Sequence, residues 1–240
     1  MDKIDYWFLD TAISELIGFS WIVPDEKYGG LAINRSPLPL SMDEINETLY
    51  KLFQNGMLLA IRTDDMINAS EAKITLSECY KVFLNKGFAP CHQEIDSALK
   101  QEQGETLCYF LTEKGGKLWE DYSRPQWDKY RFHAGNSKTN TLTSSSYEVA
   151  VKTIETQHLV DFGGSYHFPI MDTIRWEFFT PWQPTYWKIL PCGYEISYQV
   201  KCVDTDEIKN ESEKLIEERK QAEKWNEKIG NWYSNYYFDE

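Results

Sequence analysis

Leu9, Ala12, Ile13, Leu16 and Ile17 recur at three- and four-residue spacing, which predicts an amphipathic helix closed by Pro24. Tyr28-Gly29-Gly30 and Ser36-Pro37-Leu38-Pro39 predict a loop. Ser41-Met42-Asp43-Glu44 has the spacing of a capping box, and Ile45, Leu49, Leu52 and Phe53 follow on one face. Asn55-Gly56 is a natural stop, because both residues tolerate a left-handed backbone. Met57 to Ile61 then reads as a short strand. The same grammar returns downstream. Thr75 with Glu78 opens a helix through Phe83 that stops near Gly87, and His92 to Gln103 is helical, ending at Gly104. Thr106 to Leu111 reads as a strand, and Thr112 caps a helix through Tyr122 that Pro125 terminates.

Beyond this point the pattern changes. Asn136 to Ser146 is nearly all small and polar, which predicts a linker or long loop. Tyr147 to Thr153 alternates Tyr, Val and Val with Glu, Ala and Lys, as a half-buried strand would. Thr173 to Phe179 and Tyr194 to Val200 are further strands. Asp204 to Ile229 reads as a charged helix, and Asn231 to Glu240 as a ring-rich tail. The expected fold is α+β, in three parts. Residues 1–132 form a helical domain and 133–146 a polar linker or loop; 147–240 form a small antiparallel sheet with a long C-terminal helix and an aromatic tail.

The run Tyr109-Phe110-Leu111-Thr112-Glu113-Lys114-Gly115 resembles the Tyr-x-Leu-Thr-x-x-Gly signature of bacterial winged-helix domains. The resemblance implies a wing strand running into a closing helix with Thr112 as its cap, and a winged-helix-like arrangement of residues 1–132. Such domains commonly set a helix in the major groove, backed by basic contacts to phosphates. Charge argues against that use here. Residues 1–132 hold 21 acidic and 14 basic side chains. The helix from Ser77 to Lys86 carries only Lys81 and Lys86, and that from Met42 sets Lys51 against Asp43, Glu44 and Glu47. A winged-helix shape used for protein contact is the expected version.

The whole chain of 240 residues carries a formal charge of −13, a poor match to phosphate backbones or anionic membranes. No apolar stretch approaches the roughly 20 residues of a membrane helix, and the N-terminus lacks a signal-peptide pattern, so a cytoplasmic protein is expected. Cys79, Cys91, Cys108, Cys192 and Cys202 are odd in number and irregular in spacing, which fits free thiols rather than a disulfide framework. No phosphate loop, dinucleotide turn, nucleophile elbow or zinc-protease helix occurs. His92, His133, His158 and His167 complete no zinc set with the cysteines. Asp25 with Glu71-Ala72-Lys73 echoes a nuclease metal site but sits in polar sequence without a strand signal. No catalytic residue, cofactor or metal is expected.

Aromatic residues are the distinctive feature: 12 Phe, 9 Trp and 15 Tyr. They concentrate in Arg175 to Lys188, where the rings are either a packed core loop or an exposed platform of interface anchors. On the second reading the anchors are Trp176, Trp182, Tyr186 and Trp187, joined by Trp232, Tyr236 and Tyr237 from the tail. The tail docks on its own chain, on a partner, or on a second copy in a homodimer. The leading expectation is a non-enzymatic, acidic protein-binding module whose partner is a basic protein. In type this profile looks like the immunity proteins of bacterial toxin systems, which cover a toxin's active site. The alternatives are a winged-helix DNA-binding regulator and an enzyme of unrecognised family.

Overall fold

The computed structural model describes residues 2–24, 31, 33, 38–65, 76–100, 107–135, 138–160, 165–204 and 213–233. They combine helices with antiparallel sheets and a C-terminal helix, an α+β architecture, in two units. Unit 1 runs to Ser123 and also includes Thr185–Lys188, while unit 2 begins at Arg124.

Unit 1 contains α1 (Lys3–Thr11), β1 (Ile17–Gly18), α2 (Met42–Gln54), β2 (Leu58–Arg62), α3 (Leu76–Lys86), α4 (His92–Leu99), β3 (Leu107–Leu111) and α5 (Glu113–Ser123). The sheet order is β1-β3-β2, all antiparallel. Local chemistry sets most of these boundaries. Ser41 and Glu44 form the reciprocal capping box of α2, and Gly56 closes it at φ 65°, where a side chain would be strained. The Thr112 hydroxyl accepts from the Gly115 amide at 3.0 Å, so β3 passes through a capped turn into α5. Arg124 ends α5 in the left-handed region, and Pro125 follows. Thr75, Gln103 and Gly104 lie outside the described residues.

The first expected helix is shorter than its apolar stripe. α1 stops at Thr11, and Ile17 instead joins the sheet opposite Tyr109. Ladder bonds to a fully buried central strand outweigh the helical period there. α1 is buried on every side from Asp5 to Thr11, so its polar groups must find partners inside. Asp5 pairs with Lys51 at 2.9 Å. Asp10 accepts from Trp119 Nε1 at 3.0 Å and from the Tyr6 hydroxyl at 3.4 Å. The Thr11 hydroxyl gives its one hydrogen to the Phe8 carbonyl at 2.8 Å, which leaves Tyr109 to donate to it at 2.6 Å.

The carbonyls that follow a helix lack intrahelical donors. At the end of α1 they are met by the distant segment Thr185–Lys188. Tyr186 donates its hydroxyl to the Ala12 carbonyl and accepts the Leu111 amide at 3.3 Å. Trp187 Nε1 donates to the Ile13 carbonyl at 2.9 Å. Gly116 on α5 leaves room for the Trp187 ring, since a Cβ there would come within 2.0 Å of it.

Unit 2 contains β4 (Arg131–Gly135), β5 (Thr139–Ser144), α6 (Tyr147–Thr156), β6 (Ser165–Pro169), β7 (Arg175–Phe179), β8 (Gly193–Asp204) and α7 (Glu213–Gly230). The sheet runs β4-β5-β8-β6, and β7 pairs with the first part of β8 on the side where β6 pairs with its last part. The predicted linker is therefore corrected: residues 139–144 are a strand between β4 and β8. Only Leu142 of its six residues is aliphatic, but Asn140 and Ser144 are buried with it. The predicted strand at Tyr147–Thr153 is also corrected. Ser146 caps a helix there, and Ala150 and Ile154, four apart, pack on Leu142, Ile196, Tyr198 and Val200. α7 is anchored by Arg131, whose guanidinium stacks on Trp225 and bonds Asn226 at 2.6 Å and Thr153 at 2.9 Å. Its expected N-terminal part, 205–212, lies outside the described residues.

A buried polar chain runs under the sheet. Tyr198 donates to Gln157 Oε1, so its oxygen must accept from His133 Nε2–H, 3.1 Å away. In this arrangement Nε2 of His133 carries a proton. Burial, reinforced by the positive charge of Arg131, lowers the His133 pKa to about 4. The unfolded chain protonates near 6.5 and the folded chain only near 4, so between these values the unfolded state binds more protons. Stability is thus expected to be constant in this respect above pH 6.5 and to fall as pH drops toward 4. Urea titrations of the native chain and His133→Gln at neutral and acid pH check this. The variant should lose less stability on acidification, and an equal loss would contradict the assignment.

Candidate functional site: an exposed aromatic patch

The sequence offered seven candidate anchors, and the structure separates them. Tyr186 and Trp187 are buried in unit 1, where they close the end of α1. Trp182 is buried in unit 2, against Tyr130 and over Gly193, whose missing Cβ leaves room for its ring. These three are core residues and have no surface to offer a partner. Trp232 is half-buried, with ring centres 5.0 Å from both Trp127 and Tyr130, and its carbonyl accepts the Gln126 amide. It docks on its own unit. Tyr236 and Tyr237 lie outside the described residues.

Trp176 is different. β7 alternates, and its even positions Trp176 and Phe178 stand on the side where β8 carries Ile196 and Tyr194. Tyr194 lies at the centre of a ring cluster, 5.3 Å from Phe178, 5.8 Å from Tyr147 and 6.4 Å from Trp176. Tyr147 and Trp176 are 5.1 Å apart. Tyr147 arrives from the first turn of α6, one residue after the Ser146 cap. The rings hold one another in place, yet Tyr147 is 54%, Trp176 39% and Phe178 58% exposed. Beside them an open groove of about 500 Å³ is lined by Tyr147, Glu148, Val151, Lys152, Glu155 and Trp225.

On the opposite side of β7 the register sets Glu177 directly across from Glu195. Like charges facing each other across a ladder repel. Burial, together with the neighbouring Glu177 charge, raises the Glu195 carboxyl above the usual range. The two faces of β7 therefore differ, with rings on one and paired carboxylates on the other.

Sequence reasoning missed Tyr147, Phe178 and Tyr194 as site residues. Phe178 was readable from parity, since residues two apart on a strand share a face with Trp176. Tyr147 was not, because its place depends on residues 147–156 being helix.

Among the described residues no group of three His, Cys, Asp or Glu side chains could hold a metal ion, and no helix is long and apolar enough to cross a membrane. Asp25 and Glu71–Lys73 lie outside the described residues. Comparison of the chain with known protein families, with curated proteins and with solved structures found no match.

Proposed function

We propose that this chain is a non-enzymatic, acidic protein-binding module of the immunity-protein type, which covers a basic partner such as a toxin or effector. One observation carries the reading: Tyr147, Trp176 and Phe178 stay in water as a contiguous cluster while Trp182, Tyr186 and Trp187 are packed away. Exposed apolar patches of this kind mark interaction surfaces, and Trp and Tyr dominate binding hot spots. The charge of −13 would speed encounter with a cationic protein, and the rings would slow its release.

The winged-helix reading has its own support in the β3–Thr112–α5 passage and the antiparallel pairing of β2 with β3. A DNA-reading role is less well supplied. α4 carries Glu94 and Asp96 without a Lys or Arg, and Lys86 of α3 is paired with Asp65. The shape is better suited to protein contact.

Affinity purification of the full chain from the cells that make it should recover a basic protein, in a salt-sensitive complex. Trp176→Ala with Phe178→Ala should weaken that complex by about thirtyfold or more, the scale of a hot-spot loss, in a chain that circular dichroism shows to be still folded at the temperature of the assay. Recovery of DNA in its place, or a complex indifferent both to salt and to these rings, would overturn the proposal.

A further inference from the structure

The aromatic patch is made of side chains, but the strand that carries it also presents its backbone. β7 pairs with β8 along one side, and among the described residues no strand lies along the other. The outward N–H and C=O groups of such an edge are a template for another strand. Natural edges are commonly blunted by proline, a bulge or an outward charge. β7, Arg-Trp-Glu-Phe-Phe, has no proline, and its first four residues are exposed. Its one cation is turned away, since the Arg175 guanidinium bonds the Asp172 and Ile174 carbonyls of its own chain. What remains for an incoming strand is alternation: rings at 176 and 178 on one side and the carboxylate of Glu177 on the other, with Glu195 of β8 beside it on that same face.

We infer that the free edge of β7 receives an extended segment of a basic partner as an added strand, with its apolar side chains on Trp176 and Phe178 and a Lys or Arg side chain opposite Glu177. The inference rests on the protein-binding reading and specifies how the partner is held. Strand addition draws affinity from main-chain bonds and specificity from alternate side chains. A second copy fits the edge less well, because two β7 strands paired about Glu177 would bring like carboxylates together.

The test uses the full chain and a short synthetic peptide alternating lysine with valine, followed by amide hydrogen exchange and by titration. Alternate β7 amides should exchange at least tenfold more slowly with peptide present. A peptide with glutamate for lysine, or with a central proline, should bind at least tenfold more weakly. Glu177→Lys should invert the preference between the lysine and glutamate peptides, and Glu177→Gln should reduce it. Both variants alter an exposed side chain, and unchanged far-ultraviolet circular dichroism checks that each is folded. Binding that leaves β7 amides unprotected, equal affinity for both charges, or protection in the free chain that grows with protein concentration would overturn the inference. If the partner is captured through Trp176 and Phe178 while β7 amides exchange unchanged, strand addition fails and the protein-binding reading stands. If no basic protein is captured but the lysine peptide protects β7, the reverse holds.

Discussion

Trp119→Ala is expected to destabilise unit 1 by about 4 kcal/mol, as removal of a fully buried tryptophan does. The side chain is 0% exposed and contributes twice. Its ring packs edge-on against Trp187, with centroids 6.0 Å apart, so truncation leaves a void that the helices around it can only partly fill. Its Nε1–H also donates to the buried Asp10 carboxylate, at 3.0 Å. Losing that donor adds a desolvation cost to the cavity cost. Trp119→Phe shifts the balance between the two, because it keeps most of the volume and loses the donor; about 1–3 kcal/mol is expected. Urea midpoints at constant slope measure both variants. Trp176→Ala is the comparison, a partly exposed ring packed on Tyr147 and Tyr194, whose removal should cost only about 1–2 kcal/mol. Equal losses at Trp119 and Trp176 would refute this division into core and surface.

Gly116→Ala should cost about 3 kcal/mol, although alanine in place of glycine ordinarily favours a helix by about 1 kcal/mol. The sign reverses because the new Cβ would lie 2.0, 2.4 and 2.6 Å from three ring atoms of Trp187. Trp187 cannot simply turn aside, since its Nε1 is bonded to the Ile13 carbonyl and its ring packs on Trp119. The check is a double-mutant cycle. In a Trp187→Ala background the clash is gone, and Gly116→Ala should lose most of its cost. Additive effects would mean that the two residues do not meet.

Much of unit 1 could be read from the sequence because its boundaries are set by neighbours in the chain. The Ser41–Glu44 box, the Asn55-Gly56 stop and the Thr112 cap are each complete within four residues. Unit 2 was harder for the opposite reason. Residues 139–144 carry little apolar character, and they are a strand because β4 and β8 supply bonds on both sides. Residues 147–153 satisfy a two-residue period and a helical one together; the Ser146 cap and the Ala150–Ile154 spacing decide between them. The aromatic run at 175–188 showed that rings mattered but not where they went. Trp187 is buried because Gly116 is not an alanine and Ile13 has a carbonyl to satisfy, facts written far away in the chain.

The membership of Thr185–Lys188 in unit 1 bears on the order of events at the ribosome. Everything up to Ser123 leaves the exit tunnel before Tyr186 and Trp187 have been translated. During that interval the carbonyls of Ala12 and Ile13 have only water or transient donors, and the Gly116 face of α5 has no ring upon it. The nascent first half can collapse but not close, so its completion is tied to synthesis of most of the second.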